Sequence, residues 1–81
     1  MGGYNQRIDY KGETYIVQTQ DKGPAQPYVE SLIYRSGRLL TARRTSYAAA
    51  LGRADEAARI ARLMEDQHKA ILGQIVEGGF D

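Results

Sequence analysis

The chain has 81 residues and no Cys, and 11 Lys and Arg against 10 Asp and Glu leave a formal charge of +1. Eighty-one residues make one small domain, and the missing Cys excludes disulfides, thiolate chemistry and Cys-based zinc sites. Ten of the apolar residues are Ala and six are Tyr. The remaining large side chains support a core worth roughly 3–5 kcal/mol, without room for a deep enclosed active site.

A reducing cytoplasm is the expected compartment. No apolar run follows the first basic residue, so a secretory signal is not expected. Met1-Gly2 is followed by Gln6 where an acylation signal wants Ser or Thr, so the start over 1–3 is expected to be unmodified and disordered. No stretch approaches the ~18 apolar residues of a membrane span. Charge is uneven along the chain: residues 1–34 carry −1, residues 35–62 carry +5 and residues 63–81 carry −3.

A hairpin is expected over 4–20. Tyr4, Ile8, Tyr15 and Val17 share one face when Lys11-Gly12 forms a two-residue turn, with Gly supplying the positive φ such a turn needs. In this register Tyr10 meets Glu13 and Tyr4 meets Thr19. Residues 21–27 hold both prolines, Pro24 and Pro27, and read as a loop.

A second hairpin is expected over 28–44, turning at Ser36-Gly37, with Glu30 opposite Arg43. Its apolar residues fall on both parities (Leu32, Ile33, Tyr34; Leu39, Leu40), the pattern of strands covered on both faces. Residues 45–52 read as a short helix, capped by Thr45 or Ser46 and closed by Gly52.

The period turns helical over 55–77. Asp55 is the expected N-cap, and Ala57, Ile60, Ala61, Met64, His68, Ile71, Leu72 and Ile75 form one apolar stripe. Gly78-Gly79 should end this helix, with Phe80 folding back. Gly73 in its middle costs about 1 kcal/mol unless close packing requires it. The fold class is therefore α+β: a four-stranded antiparallel sheet from two hairpins, in simplest order 1-2-3-4, a short helix, and a long C-terminal helix on one face.

Such a helix covers only one face of a sheet whose second hairpin asks for two. The short helix at 47–51 is one candidate for part of the remaining cover and a second subunit is the other, and a homodimer is the favoured state. The rival is a monomer whose extra apolar residues are half exposed.

Catalytic chemistry has little to stand on. His68 is the single His and reads as a packed residue with its polar tip toward solvent. No phosphate loop, dinucleotide fingerprint, nucleophile elbow or zinc-protease motif is present, and no cofactor or metal is expected.

The residues expected to form a binding surface are Arg35, Arg38 and Arg44, with Tyr34 for stacking. Arg43 and Arg44, adjacent in a strand, must face opposite ways. A nucleic-acid or other polyanion interface needs a contiguous basic face, and Glu30 and the acidic helix end interrupt it. The expected function is a non-enzymatic protein-interaction or regulatory module; Arg-mediated polyanion binding is the alternative, and an enzyme comes third.

Three stretches, Tyr15–Gly23, Arg43–Tyr47 and Met64–His68 together with Gly79-Phe80-Asp81, resemble a family of small bacterial domains without an assigned activity. The likeness runs from about Tyr4 to Asp81. It implies a bacterial source and a compact domain, and brings no catalytic residue.

Overall fold

The computed structural model describes residues 3–80. Four strands, β1 (Gly3–Tyr10), β2 (Glu13–Asp21), β3 (Tyr28–Arg35) and β4 (Arg38–Ser46), form one antiparallel sheet in the order β1-β2-β3-β4. A 3-10 turn at Ala48–Ala50 leads to the helix α1 (Glu56–Val76). The α+β class and strand order are those expected from the sequence. Met1, Gly2 and Asp81 lie outside the described residues, and with them most of the start expected to be unmodified and disordered. Gly3 itself pairs with Gln20.

Both hairpins close on two consecutive residues with positive φ: Lys11 (52°) and Gly12 (79°), Ser36 (51°) and Gly37 (82°). Such turns match the right-handed twist of the flanking strands, and Gly at the second position adopts that φ without a Cβ clash. The first hairpin has the expected register, Tyr10 opposite Glu13 and Tyr4 opposite Thr19.

The second hairpin departs from expectation. A β-bulge sets Ile33 opposite Thr41 while Tyr34 stays opposite Leu39, so Leu40 is the extra residue. Beyond the bulge every pair slips by one, and Glu30 meets Arg44 instead of Arg43. Leu40 packs on the core and the slip turns Arg43 and Thr45 to the same helix side, where all three are half-buried.

Residues 45 and 46 also depart. They belong to β4, opposite Val29 and Tyr28, and the helix expected over 45–52 shrinks to one 3-10 turn. Ser46 still serves a cap-like role, accepting from the Ala48 N–H at 3.2 Å. Asp55 stands at the N-cap position of α1, but its carboxylate accepts from Arg59 at 2.8 Å instead of capping the backbone. That bond holds the Asp55 carboxyl below its ordinary pKa.

The C-terminus of α1 closes as expected. Gly78 N–H reaches the Ile75 carbonyl at 3.0 Å and Gly79 N–H the Gln74 carbonyl at 2.8 Å, a Schellman pair that needs the positive φ of Gly78 (80°). Phe80 returns onto the core. A Cβ at Gly73 would meet nothing within 4 Å, so close packing does not explain that glycine.

α1 runs along the strands on one face of the sheet, over β1, β2 and β3. Its buried residues are Ile60, Met64, Gln67, His68, Ile71 and Ile75. Ala57 and Ala61, expected in the stripe, are exposed, and Leu63 and Gln67 take their share of the buried side. Two apolar clusters result. Ile71 and Ile75 pack on Tyr15, Val17 and Ile33 near the hairpin turns. Ile60 and Met64 pack with Val29 and Tyr47 at the opposite end. A polar belt separates them.

Candidate functional site

Among the described residues no element covers the sheet face away from α1. Alternation and register place Arg7, Ile16, Tyr34 and Leu39 in one row across it, and Asn5, Gln18, Leu32 and Ala42 in the next. Leu39 is 55% exposed, while Ile16, Leu32 and Tyr34 are half-buried by one another's flanks. The apolar residues of this face lie across β2, β3 and β4.

Charges of both signs frame it. Arg7 and Asp9 pair at 3.3 Å at one corner. At the other end Glu30, only 9% exposed, accepts from Arg44 at 2.8 Å and lies 3.7 Å from Lys22. Arg44 also sits over the Tyr28 ring, 5.7 Å from its centroid. The bond to Glu30 raises the Arg44 pKa.

The four residues expected to make one binding surface are divided. Arg35 and Arg38 are cross-strand neighbours at the hairpin end, as expected, and Arg35 donates to the Phe80 carbonyl at 2.8 Å. Tyr34 and Arg44 lie on the other face, five residues apart along β4 as judged by Tyr34's partner Leu39. Arg43 points to the helix side, bonding Gln74 at 3.1 Å, so Arg43 and Arg44 do face opposite ways. Several arginines are thus engaged by their own chain, Arg53 and Arg59 by Asp55 among them.

The polar belt is the feature the sequence reading missed. Thr19 and Ser31 are fully buried on β2 and β3, and Gln67 and His68 are 8% and 4% exposed on α1. The Gln67 amide nitrogen donates to the Arg43 carbonyl (3.2 Å) and to Ser31 Oγ (2.9 Å), while its oxygen accepts from Thr45 Oγ1 (2.6 Å). Ser31 Oγ is 2.7 Å from Thr19 Oγ1, which is 2.8 Å from His68 Nδ1. His68 Nε2 lies 3.2 Å from Gln6 Oε1 on β1, and the ring stacks on Tyr4 at 4.9 Å.

One direction gives every hydroxyl hydrogen of this chain an acceptor while Gln6 Oε1 faces Nε2. A backbone carbonyl only accepts, so the Gln67 nitrogen faces Arg43. Ser31 accepts the second Gln67 hydrogen and gives its own to Thr19. Thr19 then donates to His68 Nδ1, and His68 carries its proton on Nε2, donating to Gln6. Among the described residues no buried side-chain nitrogen or oxygen lacks a partner.

The sequence expectation that the His68 tip reaches solvent is corrected: the residue is 4% exposed, and its two ring nitrogens are bonded to buried Thr19 and to Gln6 at the rim of β1. Burial lowers its pKa, because the charged form loses water. Beside it lies an open cleft of about 300 Å³ lined by Tyr4, Gln6, Glu65, His68, Lys69 and Leu72. Glu65 and Lys69 pair there at 3.0 Å.

A second, partly buried bond anchors the proline loop. Tyr47 donates to the Asp21 carboxylate, which also accepts from the Gly23 N–H at 2.8 Å. Burial first, and the Asp21 bond second, push the Tyr47 hydroxyl up to about 12.

Among the described residues no group of three or more His, Asp or Glu is placed to hold a metal ion, and no helix is long and apolar enough to cross a membrane. Comparison with family models, curated proteins and solved structures gives no match.

Proposed function

We propose that this chain is a non-enzymatic protein-interaction module that works as a homodimer, its two copies packed through the uncovered sheet faces. The observation that carries this reading is the apolar row of half-buried Ile16 and Tyr34 and exposed Leu39, on a face that no element among the described residues covers. Four strands at ~4.8 Å spacing, each about 27 Å long, give a projected face of roughly 500 Å². Two such faces bury about 1,000 Å², the lower bound for a stable complex.

The framing charges favour a second copy over a polyanion. A twofold contact sets each patch against itself, so a surface carrying Arg7 and Asp9, or Glu30 and Arg44, offers both partners of an ion pair. A polyanion would meet Asp9 and Glu30 as well as the arginines. A bacterial, cytoplasmic setting goes with this proposal, and so does the absence of a cofactor.

A dilution series of amide correlation spectra tests the interface. Resonances of Ile16, Leu32, Tyr34 and Leu39 should move together with concentration while those of exposed α1 residues stay fixed. Movement confined to α1, or none over a range in which the mass changes, would place the contact elsewhere. Shifts on adding a nucleic acid that vanish steeply with salt would favour the polyanion reading instead.

A further inference from the structure

We propose that protonation of His68 is a switch that opens the seam between β1 and α1. The switch rests on the one-way hydrogen-bond chain and does not depend on the dimer reading. The chain from Gln67 through Ser31 and Thr19 to His68 closes only when Nδ1 is an acceptor. A proton added at Nδ1 makes it a donor facing the Thr19 hydroxyl hydrogen. Thr19 must then turn its hydrogen to Ser31. Ser31 Oγ would receive hydrogens from both Thr19 and Gln67, and its own hydrogen would have no acceptor. Both hydroxyl residues are completely buried, so water does not relieve the conflict in place.

The way out for an imidazolium lies through β1. The adjacent open space is the cleft lined by Tyr4, Gln6, Glu65, Lys69 and Leu72. Tyr4 covers the ring by stacking and Gln6 holds Nε2, and both are β1 residues. β1 is an edge strand with exposed side chains from Gly3 to Arg7, so few contacts oppose its displacement there.

The charged groups around the ring do not cancel this cost. From α1, Glu65 faces the cleft, but its carboxylate is engaged by the Lys69 ammonium, so the pair brings little net field. Asp66 is exposed on the same helix. From β1 the facing titratable group is the Tyr4 phenol, and β2 and β3 present the neutral Thr19 and Ser31. Burial favours the neutral ring, in the same direction as the hydrogen-bond argument.

The result is an acid-sensitive seam whose opening uncovers Leu72 and the ring face of Tyr4 stacked on His68, beside the basic Lys69. The test is amide hydrogen exchange of the full chain at about pH 7.5 and about pH 5, corrected for intrinsic rates. Protection at Tyr4, Gln6 and Ile8 should fall by roughly tenfold relative to β3 amides in the acid sample. In His68→Gln, which keeps a donor and an acceptor but takes no proton, that relative loss should vanish. Equal loss in β1 and β3, or the same β1 loss in His68→Gln, would overturn the proposal. A second measurement on the unaltered chain covers a variant that fails to fold. Ring nitrogen shifts should show His68 protonated at Nε2 near neutrality and titrating below the ordinary value of about 6.5. An Nδ1–H tautomer, or titration above that value, would equally overturn it.

Discussion

Thr19→Val removes one hydroxyl and keeps the shape of the side chain, so it isolates the polar belt from packing. Thr19 accepts from Ser31 and donates to His68 Nδ1, and it is completely buried. Valine therefore strands two groups, the Ser31 hydroxyl hydrogen and the His68 Nδ1 lone pair. Each buried orphan costs about 1–3 kcal/mol, so the pair costs about 2–6 kcal/mol. A core of this size supplies roughly 3–5 kcal/mol in all, and the variant should be barely folded or unfolded. Thr19→Ser keeps the hydroxyl and loses one methyl, a change of about 1 kcal/mol. Urea titrations of the three proteins near pH 7.5, followed by far-ultraviolet circular dichroism, give the order wild type, Ser, Val with the large step at Val. A Thr19→Val protein as stable as Thr19→Ser would refute the buried chain.

Three further outcomes follow from other parts of the fold. Gly73→Ala should raise stability by about 0.5–1 kcal/mol in the same titration, since a Cβ there meets nothing within 4 Å and helix propensity favours Ala; a loss would mean an unseen contact at that position. Tyr47 is raised in the fold to about 12 against an ordinary value near 10, so its contribution is complete below about pH 10 and is lost as pH rises toward 12. Tyr47→Phe should be less stable at neutral pH and should flatten the alkaline part of the stability profile, which a series of melts across that range records; an unchanged alkaline slope would remove Tyr47 as its source. Leu39→Glu, at a side chain 55% exposed, should change folding stability by less than about 0.5 kcal/mol while weakening self-association at least tenfold, as sedimentation equilibrium would show; unchanged association would clear the sheet face of that role.

The first hairpin was legible because every local signal agreed: alternating Tyr, Ile and Val, and a Lys11-Gly12 turn able to hold positive φ at both positions. The second was legible only up to its bulge. Two adjacent leucines do not announce which of them is the extra residue, and the choice of Leu40 shifts every later pair, turning an expected Glu30–Arg43 contact into Glu30–Arg44. Residues 45 and 46 look like helix caps in isolation, but pairing with Val29 and Tyr28 and the Thr45–Gln67 bond keep them in the strand.

The polar belt carried a signal that composition alone obscures. Thr19 continues the inward parity of Tyr15 and Val17, and Ser31 sits between the inward Val29 and Ile33. Gln67 falls three residues after Met64 and four before Ile71, the helical spacing of one face. Polar residues at inward positions on three elements, beside a single His, mark a buried network once the parities are compared. The binding surface was less legible, because Arg35, Arg38 and Arg44 cluster in sequence while strand alternation sends them to different faces.

Light-scattering mass on a sizing column, at two protein concentrations and two salt concentrations, tests the homodimer most directly. A homodimer gives twice the 9.0 kDa chain mass at the higher concentration. Salt should affect it little, because an apolar patch forms the centre of the contact. A mass of one chain under all four conditions would contradict it and leave the sheet face without the occupant assigned here.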